Sequence, residues 1–190
     1  MQEKIYEIDQ GIGFGKWQDE TSKFLYYEST KQILDLIEIP DRVADYGGGN
    51  GLLKQFIPQI TTIDIDGSKG PDIVDDIITH KGEYDLIILR YVLHYLDDYK
   101  IIEMFKNIKR QHKGRILIQQ FTNEDLISKY ENSQNEYKYF RTLPQLLALI
   151  PFDGNIIYKQ DYIVTSQFYK NRLQLENGKD HIETMVGYYV

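Results

Sequence analysis

The chemistry of this chain begins in one short run: Asp45, Gly47, Gly49 and Gly51, with Gly48 between them. A carboxylate attracts a cation or a hydrogen-bond donor. Glycines leave the backbone bare, so a ligand can lie directly against it. Val43 and Ala44 ahead of the run are small and apolar, as a buried strand requires. Residues 52–57 behind it return to helical spacing. Strand, glycine turn and helix open a βαβ unit, and the helix N-terminus offers N–H groups. The dinucleotide pattern G-x-G-x-x-G fails here, because its last position falls on Leu52 or Lys54. The pattern present is D-x-G-x-G-x-G.

Further along, Asp64 stands nineteen residues after Asp45, near the spacing of an acid that binds ribose hydroxyls. A carboxylate suits a vicinal diol because it accepts two hydrogen bonds. Ile65 beside it is assigned to the same ligand. His94 is the first candidate general base, since an ordinary imidazole titrates near neutral pH. Tyr91 is the second catalytic candidate. Arg90 is able to anchor a carboxylate or phosphate, or to pair with Asp64 or Asp97. The histidines His80, His112 and His181 show no metal spacing, so no metal site is expected.

These residues need elements to hold them. A helix capped by Thr21 or Ser22 is expected to run to about Ile39, where Pro40 stops it. Residues 59–64 read as a second strand ending in an acid. Gly67, Gly70 and Pro71 leave little room for a second helix, so the third strand at Ile73 and Val74 should be short. Residues 83–89 are the strongest buried strand. A helix with Ile101, Ile102, Met104, Phe105 and Ile108 follows, then a fifth strand at 115–120. Thr142 caps a final helix over 143–150, with Pro144 in its first turn. Residues 156–165 and 167–175 alternate as a terminal antiparallel hairpin. Residues 177–190 are unassigned, with 181–190 available as an edge strand or for packing in a homodimer.

A length of 190 residues suits one domain, 1–190, with a real core. Hydrophobic content of 42% and charge of 27% are ordinary for a soluble chain. No run of eighteen apolar residues or signal pattern is present, so neither a membrane nor export is expected. The absence of cysteine excludes disulfides and thiol catalysis, and fits a cytoplasmic protein. A net charge of -7 gives no basic footprint for nucleic acid. Residues 1–22, with Tyr6 and Trp17, are expected to form an N-terminal flap. The polar stretch 121–141 is expected to form a lid or insertion around a short helix.

The D-x-G-x-G-x-G run, with the acid at 64 and the turn after residue 89, resembles the class I S-adenosylmethionine (SAM)-dependent methyltransferases, in their small-molecule branch. The resemblance covers about residues 41–175. It implies an α/β fold: a three-layer α/β/α sandwich around a mostly parallel seven-stranded sheet with an antiparallel terminal strand. It implies SAM as cofactor, with Asp45, Gly47, Gly48, Gly49 and Gly51 at its amino-acid end. It places an acid after the third strand on the adenine amino group and the next backbone N–H on the ring. Asp76 and Ile77 fit that place better than Asp75. Arg90 joins the cofactor set. The motifs that the family uses for base, arginine and metal-dependent catechol methylation are missing after residue 89, which leaves a small molecule, or a side chain or terminus of a peptide, as the expected acceptor, with the small molecule leading. His94 or Tyr91 is then expected to face the methyl group.

Overall fold

The computed structural model describes residues 27–122, 139, 141–164 and 181–190. The expected flap, the Thr21/Ser22 cap, the lid's short helix and the strand at 167–175 all lie outside these residues.

A seven-stranded sheet organises the chain. Its strands are β1 (Val43–Tyr46), β2 (Thr61–Asp64), β3 (Ile73–Val74), β4 (Leu86–Arg90), β5 (Arg115–Thr122), β6 (Asn155–Val164) and β7 (His181–Tyr189). Their spatial order is β3-β2-β1-β4-β5-β7-β6. The first five pair in parallel, and β7 runs antiparallel to both β5 and β6. The order reverses between β1 and β4, which opens a crevice at the carboxyl ends of those strands.

Among the described residues three helices flank the sheet: α1 (Ser29–Leu34), α2 (Asp98–Gln111) and α3 (Leu143–Leu149). On one face Ala44, Ile87, Leu89, Ile116 and Ile118 pack with Ile101, Met104, Phe105 and Leu146 of α2 and α3. On the other face Val43, Leu86, Ile88 and Leu117 pack with Ile33 and Leu34 of α1 and with Leu53 and Ile57. Strand alternation therefore sends Asp45 and Gln119 to the α1 face, and Gln120 to the α2/α3 face. Asp97 caps α2 by accepting from the Lys100 N–H at 2.8 Å. Thr142 and Gln145 form a reciprocal capping box on α3, with Pro144 in the first turn.

Two expectations are corrected. The helix after the glycine turn is only a 3-10 turn, Leu52–Gln55. Pro58 ends the helical option, and β2 must begin at Thr61. The second correction concerns the sheet's end. Among the described residues β6 pairs with β7, and β7 is an interior strand between β5 and β6 rather than an edge. Its residues Thr184 to Tyr188 are buried on both faces, so they lack the alternation that marks a half-buried strand. The reduced second helix appears as a 3-10 turn, Gly67–Lys69, followed by the two-residue β3.

Phe105 is fully buried and meets Phe152 edge-on with ring centres 5.7 Å apart, whereas Ile102 on the same helix is 39% exposed. Phe105→Ala should cost about 3–5 kcal/mol through the cavity it leaves. Ile102→Ala should cost about 1 kcal/mol or less. Urea unfolding of the two variants checks the difference.

Candidate functional site

The glycine turn is held by β2. Both Gly47 and Gly48 N–H groups donate to the Ile63 carbonyl, at 2.8 and 3.2 Å. Gly48 has no room for a side chain, because a Cβ there would stand 2.5 Å from Asp45 Oδ2. The Asp45 carboxylate therefore lies directly beneath the turn. Gly49 adopts φ +56°, and a Cβ there would meet nothing nearer than Lys69 Cδ at 3.7 Å. Among the described residues a Cβ there would make only ordinary contact with Lys69 and Asp64, so the backbone at 49 is not crowded from that side. A branched residue at 49 would be strained and would fill that side.

Asp45 is 1% exposed, and among the described residues neither carboxylate oxygen has a hydrogen bond. A buried polar group without a partner is costly, and a buried charge more so. Burial pushes this carboxyl up to about 6, Asp64 adds to the rise, and Arg90 opposes it. The site is built to receive a cation or a strong donor. The ammonium group of SAM meets that requirement.

Asp64 sits across the turn. Its Oδ2 accepts the Gly49 N–H and its Oδ1 the Asp66 N–H, both at 2.9 Å. Each oxygen keeps a second lone pair, so two ribose hydroxyls can still be accepted. Ile65 follows at the strand end and is 71% exposed. Beyond β3, Asp76 Oδ1 accepts the Ile78 N–H at 2.9 Å, and Ile77 is buried against the core. The structure thus sets Asp45, the glycines, Asp64, Asp76 and Ile77 along the carboxyl ends of β1, β2 and β3. Arg90 ends β4 and reaches this group through its field on Asp45.

The two catalytic candidates do not fit their expected role. His94 lies buried on the α2/α3 side, where its Nδ1 accepts from Gln120 Nε2 at 3.0 Å. Burial pushes its imidazole down to about 3, and the nearby Arg141 pushes the same way. Such a ring is a weak base at neutral pH. Tyr91 has φ +52°, rare for a residue with a side chain. Its hydroxyl donates to Met185 Sδ at 3.1 Å and accepts from Gln119 Nε2 at 2.7 Å. Burial raises its phenol above the usual range. Tyr91 is therefore part of a buried polar network with Gln119 and Thr30, whose hydroxyl donates to Gln119 Oε1 at 3.2 Å.

The sequence reading missed Arg141 and the glutamine pair. Arg141 donates to the carbonyls of Leu93, Leu96 and Tyr139 and pairs with Asp98 at 2.6 Å. It fastens the turn that carries His94. No pattern marks such an arginine, because its partners are backbone carbonyls. Gln119-Gln120 did carry a signal: two amides inside an apolar strand must each find a partner, one per face. Among the described residues no group of His, Asp and Glu is placed to hold a metal.

The sheet order, with β7 reversed and a glycine turn beneath its switch point, defines the class I methyltransferase fold. A sequence model of the methyltransferase domain matches residues 13–178, and the chain belongs to that family. SAM is the cofactor of this class. Similar solved structures show the same fold. YcgJ from Bacillus subtilis has a TM-score of 0.63 at 12% identity, covering 86% of this chain and 97% of its own. An O-methyltransferase of a Brevibacillus brevis polyketide multienzyme, bound to S-adenosyl-L-homocysteine, has a TM-score of 0.59 at 13% identity, covering 97% of this chain and 83% of its own. The magnesium protoporphyrin IX methyltransferase of Synechocystis, with bound SAM, has a TM-score of 0.57 at 14% identity, covering 93% of this chain and 86% of its own. A search of curated proteins gives no match.

Asp45 also sets a pH dependence. Its folded value of about 6 lies above the ordinary aspartate value of about 4, so between these the folded state holds a proton that the unfolded state lacks. Stability without ligand should therefore fall as pH rises through about 6, by roughly 1–3 kcal/mol. Asp45→Asn should remove that fall and raise the melting temperature at neutral pH. Thermal melts of both proteins between pH 4.5 and 7.5 check it.

Proposed function

We propose that this chain is a SAM-dependent methyltransferase acting on a small-molecule acceptor through oxygen or nitrogen. The observation that supports it is the buried Asp45 carboxylate, lying without a hydrogen bond among the described residues beneath a bare glycine backbone. When bound, SAM supplies an electron-poor methyl group on a sulfonium. The chain's own residues provide the rest. Asp45 receives the ammonium end, the backbone at Gly49 lies along the ligand, and Asp64 accepts ribose hydroxyls. Asp76 and Ile77 take the adenine edge.

Neither His94 nor Tyr91 is suited to remove a proton here. Rate acceleration then rests on proximity and on exclusion of water. An acceptor that is already nucleophilic at neutral pH suits such a site. The cytoplasm, with its metabolite pool, is the setting that belongs to this proposal.

Calorimetry should show binding of SAM and S-adenosylhomocysteine but not of NAD. Asp64→Ala should weaken SAM binding about 5- to 150-fold with the fold retained, the range for hydrogen bonds to a charged group. Gly49→Val should abolish it. Transfer of labelled methyl to a metabolite extract then tests catalysis. Binding without transfer to metabolites or peptides would favour a non-catalytic SAM-binding role, and tighter binding of NAD would overturn the proposal.

Arg90 stands closest to the acceptor question, since it caps β4 on the Asp45 face. Arg90→Met should lower methyl transfer to an acidic acceptor at least tenfold in kcat/KM, the loss of one charge-assisted contact. A neutral acceptor should lose only what weaker SAM binding takes from both, so the acidic-to-neutral ratio of kcat/KM should fall at least tenfold. Steady-state kinetics with an acceptor pair of each kind reads this out.

A further inference from the structure

The loop between β3 and β4 contains a polar chain that the proposed function does not use. Asp75 directly follows β3, and its Oδ2 lies 2.8 Å from His80 Nδ1. A carboxylate only accepts, so Nδ1 donates. His80 Nε2 lies 3.1 Å from the Tyr84 hydroxyl, from which it accepts. The His80 side chain is 5% exposed. Its ring stacks on Tyr84 and stands edge-on to Tyr46 of β1. The hydrogen bond from His80 is the first cause that holds Asp75 below the usual carboxylate range.

Asp75 and His80 close a tight turn between them. The Asp76 N–H donates to Asp75 Oδ1 at 2.8 Å. The Asp76 carbonyl accepts from the Thr79 and His80 N–H groups, at 3.0 and 2.8 Å. Asn107 of α2 donates to the His80 carbonyl at 2.9 Å. Both Asp75 oxygens are therefore engaged inside the loop, whereas only Oδ1 of Asp76 is used there. The turn holds Ile77 inward and leaves Asp76 Oδ2 for a ligand.

We infer that His80 is a positioning residue: by bridging Asp75 and Tyr84 it fixes the Asp76–Ile77 turn, and so makes the site selective for the amino-bearing edge of adenine. This rests on the SAM reading above and deepens it. A rigid carboxylate beside that edge accepts from an amino group and repels a carbonyl oxygen in the same place. A loosened turn would let Asp76 swing away and would bind both bases alike.

The test compares S-adenosylhomocysteine with S-inosylhomocysteine, in which a carbonyl replaces the adenine amino group. The wild type should prefer the adenosyl compound on the order of 100-fold, below the limit for a fully buried site. His80→Phe keeps a ring between Tyr46 and Tyr84 but removes both hydrogen bonds, and it should cut that preference at least tenfold. His80→Asn keeps a donor to Asp75 near the Nδ1 position but loses the bond to Tyr84, so its ratio should fall about as far as that of Tyr84→Phe and well short of the fall in His80→Phe. Tyr84→Phe, at a half-buried position, is the second variant if His80→Phe does not fold, and it should cut the ratio at least threefold. A merely structural role would lower the melting temperature and leave the ratio unchanged. An unchanged ratio in folded His80→Phe or Tyr84→Phe overturns the inference alone. An equal loss in His80→Phe and His80→Asn also overturns it, because packing rather than the hydrogen bond would then be at work. A wild type that binds neither compound overturns the cofactor reading and this inference together.

Discussion

One carboxylate with nothing to bond to sets the terms for this fold. Asp45 is forced under Gly48 because β1 must bury all four of its residues. Its acid then faces a turn whose Gly47 and Gly48 N–H groups are already committed to the Ile63 carbonyl of β2. No water-facing position is within its reach, and no side chain among the described residues bonds it. A folded chain that tolerates this is strained in its electrostatics, not in its backbone. In the proposed complex, an ammonium group beside Asp45 would relieve that strain. The same logic explains the glycines. They are the residues that let the acid and the ligand approach the backbone from opposite sides.

The sheet separates two polar systems. On the α1 face lie Asp45 and the Thr30, Tyr91 and Gln119 network. On the α2/α3 face lie His94, Gln120 and Arg141. Strand alternation alone assigns Gln119 to one and Gln120 to the other. The two amides are neighbours in sequence but serve different layers. The residue that joins the systems is Tyr91, whose unusual backbone turns the chain from β4 into the His94 turn. Two residues that looked catalytic in sequence are thus held in buried hydrogen-bond networks. Their types promised proton transfer, but burial removed His94's basicity and Tyr91's access.

Much of the core plan was legible. The D-x-G-x-G-x-G run, the buried strand at β4, the amphipathic α2 and the Thr142 cap all express local chemistry that a sequence displays directly. The missing second helix was legible too, because Gly67, Gly70 and Pro71 leave no length for one. What was not legible depended on tertiary surroundings. The helix after the glycines shrank to one turn because Pro58 and the start of β2 compete for the same residues. The place of β7 was hidden because a strand buried on both faces loses its alternation. Arg141 was hidden because backbone carbonyls leave no trace in sequence.

The interior position of β7 has a consequence for how the chain is made. Residues 115–122 and 155–164 form strands that never touch each other, since 181–189 lies between them. During synthesis from the ribosome both must therefore wait with an open hydrogen-bonding edge until a later segment emerges. An open edge is a template for pairing with another chain. Long-range antiparallel insertion is also among the slower steps a small domain can take. The nascent protein thus passes through a stage at which the cofactor half, β1 to β4, can already be assembled while the far side of the sheet is unfinished.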